Sequence, residues 1–325
     1  MDELSRQFIN RYQGDFPIEE QPFASAAANL GTDAATLMNR IQALLDDDLL
    51  SRFGPLYDAS SMGGSLTLAA LSVPRERFDE VAQLVNDMPE VAHNYEREHE
   101  LNMWFVIATE TPQLQQQTID RIEQQANLPV YNFPKLKTFY LGLWLVLAES
   151  GRVATKPVPG PLKQGGMIID ELDRGIVQAT QQGLPLVAAP YNEVAGVCGC
   201  DGDTVMRRMQ RMLERGVIRR IGAIPNHYRL GLRANGMSVW DVEDDRLQEL
   251  GARVGRLDCV SHCYERPRHP PRWPYNLFAM VHGHDRDEVE KRLAHIAELL
   301  GSSCRAQDVL YSTCILKKTG LRLVA

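Results

Sequence analysis

The sequence predicts an α+β protein made of two tandem copies of one unit, each a winged helix-turn-helix followed by a ferredoxin-like βαββαβ domain, the two forming an intramolecular pseudo-dimer. Three observations carry this reading. The chain repeats itself at an offset of 168 residues, which aligns Leu4 with Leu172, Pro17 with Pro185, Gly31 with Gly199, Arg40 with Arg208 and Gly54 with Gly222. Within each copy the apolar spacing changes from helical to period two. The period-two half of each copy then reads strand, helix, strand, strand, helix, strand, which places helices on one face of an antiparallel sheet. The opposite face needs a cover, and a duplicated chain supplies one.

Taken in order, residues 1–60 hold the first helix-turn-helix. Leu4, Phe8, Ile9 and Tyr12 make a helical stripe, matched by Ile168, Leu172, Ile176 and Ala179 in residues 167–228. A second helix runs from the Pro17 or Pro185 region to Gly31 or Gly199. A third starts near Asp33 or Asp203, both suited to capping, and Gly216 suits its stop in the second copy. In residues 61–149 the strands are read from SLTLAALSV, EVAHNYER, NMWFVIATE and LKTFYLGLWLVL; in residues 229–325 they are read from GMSVWDV, DCVSHCYE, YNLFAMVHG and QDVLYSTCILKK. Residues 150–166, rich in Pro and Gly and without apolar periodicity, read as a linker.

A hydrophobic content of 44% with 24% charged residues is that of a globular protein long enough for several cores. The N-terminus lacks an apolar signal region and no apolar run reaches membrane-spanning length, so a cytoplasmic location with no membrane partner is expected. A net charge of −7 argues against a surface tuned throughout to nucleic acid. Cys198, Cys200, Cys259, Cys263, Cys304 and Cys314 have spacings that fit no zinc or dithiol motif, and buried reduced thiols are expected. No nucleotide fingerprint is present.

The polar letters that repeat are H-x-Y-E-R followed by an Asn that opens an aromatic strand: His93, Tyr95, Arg97 and Asn102 in the first copy, His262, Tyr264, Arg266 and Asn276 in the second. The offset grows from 169 at the His to 174 at the Asn, so the second copy carries five extra residues, in the RPRHPPRWP segment with Trp273. Arg offers a fork for carboxylates, Tyr and Trp offer flat apolar area, and His exchanges protons near neutrality or binds iron. Together they suit a planar, polycarboxylated ligand. The copies are unequal: where the second has Arg219, Arg220, His227 and Arg229, the first has Ser51, Arg52, Ala59 and Ser61. DNA is the rival partner, through Arg207, Arg208, Arg211 and Arg215 on the third helix of the second copy, but Asp46, Asp47 and Asp48 at its counterpart would repel a phosphate backbone, so DNA is disfavoured.

The architecture resembles the Lrp/AsnC superfamily, and GVIRRIGAIPNH, SHCYERP and WPYNLFAMVHG with HNYERE and NMWFV in the first half resemble the sirohaem decarboxylases that branch from it, in the form of a natural fusion of two subunits. The resemblance implies loss of the C12 and C18 acetate carboxyls of sirohaem as carbon dioxide, giving 12,18-didecarboxysirohaem for haem d1 or alternative haem synthesis. It implies no cofactor beyond the substrate's iron, and other haem-biosynthesis enzymes or further copies of the chain as associates. The alternatives are an Lrp/AsnC-type regulator and a haem sensor without catalysis. Under the resemblance His262, His93 and His227 are the candidate proton donors, with an axial contact to the substrate's iron as a second role for one of them. Arg219, Arg220, Arg97 and Arg266 would anchor carboxylates, Tyr95, Tyr264 and Trp273 would wall the ring, and Asn276 would contact substrate. The second copy is expected to carry the catalytic pocket, with His93 and Arg97 reaching in from the first.

Overall fold

The computed structural model of the protein describes residues 1–158 and 166–318. Most of the second half of the expected linker and the last residues of the final domain therefore lie outside the described residues. Each copy opens with three helices, α1 (Glu3–Arg11), α2 (Pro22–Asn29) and α3 (Ala34–Asp46) in the first and α6 (Glu171–Thr180), α7 (Pro190–Cys198) and α8 (Gly202–Glu214) in the second, and each triplet leads into a strand, β1 (Leu50–Tyr57) or β9 (Ile218–Pro225). Local chemistry sets the ends. Asp2 and Asp33 accept backbone N–H bonds from Ser5 and Thr36. The cap of α8 is Asp201, which accepts from Thr204, and not the expected Asp203, which lies inside the first turn. Gly216, at φ +76°, ends that helix as expected. Ile168 falls outside α6 and is almost wholly exposed, so it takes no part in the stripe that Leu172, Ile176 and Ala179 form.

The two helical modules share one core, including Phe8, Phe53, Ile176, Met209 and Ile221. They are joined by antiparallel pairing of β1 with β9, in which Gly54 faces Gly222. Gly222 has φ +155°, and a Cβ there would lie 2.2 Å from the Tyr12 carbonyl oxygen, so the close approach of α1 to β9 requires glycine. The segment expected to be only a linker contributes β8 (Val153–Lys156), which pairs with β7 (Trp144–Leu147). Gln13 and Asn10 from the first helical region bond the backbone of Leu145 and Leu147, holding this hairpin against the module.

The βαββαβ pattern is present in both copies. The first runs β2 (Ser65–Leu71), α4 (Phe78–Asp87), β3 (Val91–Arg97), β4 (Met103–Thr109), α5 (Pro112–Ala126), β5 (Tyr131–Pro134) and β6 (Lys137–Leu141). The second runs β10 (Ala234–Val242), α9 (Leu247–Gly255), β11 (Val260–Glu265), β12 (Leu277–Gly283), α10 (Arg286–Leu300) and β13 (Cys304–Lys318). Their strands form one sheet in the order β5-β2-β4-β3-β13-β10-β12-β11-β6. The expected last strand of the first copy, LKTFYLGLWLVL, is divided into β6 and β7, and the strand beside β2 is the unexpected β5 just before it; β6 crosses to β11 of the second copy. β13 does the same without a break, pairing its first part with β10 and its second with β3. β5 and β6 are the two edge strands of this order, and only Lys135 and Leu136 separate them along the chain. Trp104, Phe133, Val239, Trp273, Phe278 and Leu310 fill the space between the two halves, and the helices cover the outer faces. Among the described residues no helix is long and apolar enough to cross a membrane.

Candidate active site

At the seam where β5 gives way to β6, a cavity of about 840 Å³ opens beneath the β1–β9 ribbon. That is at the upper end of the range for small-molecule sites, and large enough for a macrocycle. Arg219 and Arg220 enter it from β9, His262 from β11, Lys135 and Lys137 from the seam, and Tyr140 and Trp144 form apolar walls. Asp15 and Asp58 also line it, so cations outnumber carboxylates. The Arg220 guanidinium lies 5.7 Å from the Trp144 ring, and burial together with neighbouring Arg219 pulls its pKa down to about 10. It stays charged at neutrality. Among the described residues, Arg219 Nε and Arg220 Nη1 are buried without a hydrogen-bond partner. A buried donor on a charged group left unsatisfied is costly, and an anionic ligand would relieve that cost.

His262 Nδ1 lies 2.7 Å from Ser261 Oγ, so Nε2 is the ring nitrogen left for a ligand. Burial, then the positive charges of Arg219, Lys135 and Arg266 and the proximity of His227, pull its pKa down to about 3. It is neutral at pH 7. Lys135 lies 5.3 Å from the Tyr264 ring centre, and burial lowers its pKa, opposed by Asp58. Neither Lys135, Lys137 nor Ser261 was expected from the sequence. A difference between the copies, of the kind that exposed Arg219, would have found Ser261, because the aligned residue is Ala92.

The remaining expected residues lie elsewhere. Arg97 and Arg266 do not line the cavity; each donates from Nη1 to a backbone carbonyl of the other copy, Leu310 and Phe133 respectively, and packs over its own copy's tyrosine, Tyr95 or Tyr264. Tyr264 stands behind Lys135, and Tyr95 with His93 belongs to the middle of the sheet, where β3 meets β13. His93 and Arg97 therefore do not reach into the cavity from the first copy. Trp273 is fully buried between Trp104, Phe133 and Phe278, in the core and not along the cavity wall. Asn276 is committed to the fold: it accepts from the Val242 N–H and donates to the Val242 carbonyl, as Asn102 does with Val73. His227 does not line the cavity either; its ring lies edge-on to His282, with centroids 5.1 Å apart.

The family model described as "AsnC-like ligand binding domain" matches residues 61–140 and 229–317, and the one described as "Siroheme decarboxylase NirDL-like HTH domain" matches residues 5–50 and 173–219. The sirohaem decarboxylase of Hydrogenobacter thermophilus is 33% identical over 316 residues, 95% of this chain and 92% of that protein. The chain belongs to the sirohaem decarboxylases. It has the fused form of that family, and one half also matches a separate subunit: the sirohaem decarboxylase NirH subunit of Paracoccus pantotrophus is 56% identical over 154 residues, 47% of this chain and 96% of the subunit. The crystal structure of the decarboxylase NirDL in complex with an iron-uroporphyrin III analogue superposes with a TM-score of 0.74 at 27% identity, covering 98% of this chain and 93% of that one.

In this decarboxylase two of the arginines of α8 are engaged by acids of α6. Arg208 and Arg211 pair with Asp173, which is fully buried, at 3.3 and 2.8 Å, and Arg208 also pairs with Asp170 at 2.6 Å. Two of the four charges counted as a DNA-contacting face are thus spent on fixing α8 to α6. The cysteines are free, but only Cys263 is buried as expected; Cys314 is exposed and the other four are partly so.

Proposed function

We propose that sirohaem binds in the cavity lined by Arg219, Arg220, Lys135, Lys137 and His262, and that the protein removes its C12 and C18 acetate carboxyls as carbon dioxide. The observation that carries this reading is the pair of consecutive half-buried arginines, each with a buried, unpartnered nitrogen, set beside a neutral histidine in one large cavity. Arg219 and Arg220 would hold substrate carboxylates by charge-assisted hydrogen bonds, and the lysines would add charge at the seam. Trp144 and Tyr140 would lie against the macrocycle.

In each decarboxylation the bond between the acetate methylene and its carboxyl carbon breaks, the electron pair passes into the macrocycle, and the methylene carbon takes one proton to become methyl. His262 Nε2 is the proton donor in this scheme. Entry of a polyanion offsets the cations that hold His262 neutral, so substrate itself raises the histidine's basicity. The reaction needs no organic cofactor, and iron enters with the substrate.

Incubation of the purified protein with sirohaem under anaerobic conditions, followed by mass spectrometry, tests the reading. Loss of two carbon dioxide units is expected. An unchanged mass despite a shifted absorption band would leave a tetrapyrrole-binding protein and overturn the decarboxylase assignment.

A further inference from the structure

Behind His262 a line of hydrogen bonds leads away from the cavity. Ser261 Oγ, 2.7 Å from His262 Nδ1, is also 2.5 Å from His282 Nε2, and His282 Nδ1 is bonded to Asn235 Oδ1. Asn235 donates its amide to the Leu232 carbonyl, which orients Oδ1 towards His282. With that amide oxygen as acceptor the direction of the line follows: His282 donates from Nδ1, Ser261 donates to His282 Nε2, and His262 donates from Nδ1 to Ser261. His262 is left with an unprotonated Nε2, the form a donor has just after giving up a proton.

The fold does not need these polar groups. Ser261 sits in the irregular step between the Val260 and His262 pairings of β11, and the first copy makes the same step between Val91 and His93 with Ala92. His282 faces Asn235 across β10 and β12, where the first copy pairs Ala108 with Leu66. Hydrocarbon serves in the copy whose histidine lies away from the cavity, and a hydrogen-bonded line stands in the copy whose histidine lines it. Ser261 and His282 are almost fully buried, so polar side chains there carry a desolvation cost that packing alone would avoid.

We propose that Ser261 and His282 form a proton relay that reloads His262 between the two decarboxylations; this rests on the decarboxylase reading of the cavity. In the loaded state His282 is protonated on both nitrogens, Ser261 accepts from its Nε2 and donates to His262 Nδ1, and His262 carries its proton on Nε2. When that proton moves to the methylene carbon, His262 Nδ1 takes the Ser261 proton and Ser261 takes the His282 Nε2 proton. The chain then stands in the arrangement described above, and one proton has left His282 for each carbon dioxide released. His227, half-buried on the turn after β9, lies edge-on to His282 and stands on the side from which it is resupplied. The other titratable or charged groups around His282 are His262, Arg292, which donates to the His282 carbonyl, and Glu288, which pairs with Arg292. Ser261 and His282 are positioning and relay groups; neither touches substrate in this scheme.

Three variants decide the matter: Ser261→Ala, His282→Gln and the double variant. Each single change is expected to lower kcat for carbon dioxide release by about 10- to 100-fold with KM for sirohaem within about twofold, and the double variant should be no slower than the slower single one, because both cut the same line. Ser261→Thr, which keeps the hydroxyl, should recover most of the rate. A Ser261→Ala enzyme within twofold of the parent in kcat, or single losses that multiply in the double variant, would overturn the relay while leaving the decarboxylase reading intact. Nitrogen-15 spectra of the ligand-free parent provide an arm independent of turnover. They should show His262 and His282 as neutral Nδ1–H tautomers, and Nε2–H on His262 would refute the stated direction even if sirohaem proved not to be the substrate.

Discussion

Arg220 and Trp144 hold each other in place: the guanidinium lies 5.7 Å from the ring centroid, and both groups face the cavity. The ring covers one face of the cation without using a donor, so the buried Nη1 remains for a carboxylate. Replacing Arg220 with Ala should remove a charge-assisted bond worth about 1.5–3 kcal/mol, a loss of roughly 10- to 100-fold in sirohaem affinity. Arg220→Lys should recover the charge but not the planar stacking, and should bind at an intermediate level. Absorbance titration of the tetrapyrrole measures both, and equal affinity in all three proteins would remove Arg220 from the site.

Lys135 acts on the cavity and on His262 together. It stands at the seam between β5 and β6 and is one of the positive charges that hold His262 neutral. Lys135→Met should weaken sirohaem binding and, in the empty protein, raise the His262 pKa. Nitrogen-15 titration of the histidine reads the second effect; an unmoved His262 would show that burial, the larger cause, leaves no room for the charge.

Asn276 was read as a substrate contact, yet both ends of its amide are bound to the Val242 backbone, and Asn102 repeats the arrangement at Val73. Asn276→Ala should therefore cost stability, about 1–3 kcal/mol for the buried backbone groups left unpaired, seen as a lower denaturation midpoint. KM for sirohaem should barely change. A normal midpoint with a raised KM would return Asn276 to the substrate.

The contrast between Asn276 and Arg219 shows which parts of the site were legible. Strand and helix order came through because apolar spacing is local; Arg219 stood out because its aligned residue in the first copy is Ser51, and His262 because the H-x-Y-E-R motif repeats at His93. Asn102 and Asn276 match between the copies, and a match is equally what a repeated structural clamp produces. Trp273 lies in an insert beside the motif, where nothing local distinguishes a wall of the cavity from a plug in the core. The exchange of β6 and β13 between halves was hidden for a related reason: Lys135 and Leu136 interrupt a strand pattern without saying which sheet the next strand joins. Ser261 and His282 were recoverable, since Ala92 and Ala108 align with them.

The depressed pKa of His262 also sets how stability varies with pH. The folded protein keeps this histidine neutral down to about pH 3, whereas in the unfolded chain it protonates near its ordinary value of 6.5. Between those values the unfolded state binds more protons, so stability falls as the pH falls through that window and is unaffected by this group above it. Lowering the pH from 7.5 to 5 should cost about 2 kcal/mol through His262 alone, at 1.36 kcal/mol for each unit below 6.5. His282 and His99 are also shifted downward by burial and add to the slope of the parent, so the comparison must be with a variant. His262→Gln, measured by urea denaturation at both pH values, should lose less stability than the parent by about that amount. Equal losses would mean that water solvates the His262 cation or that Lys135 moves away from it, and the neutral Nε2 from which the relay is drawn would not be the resting form at low pH.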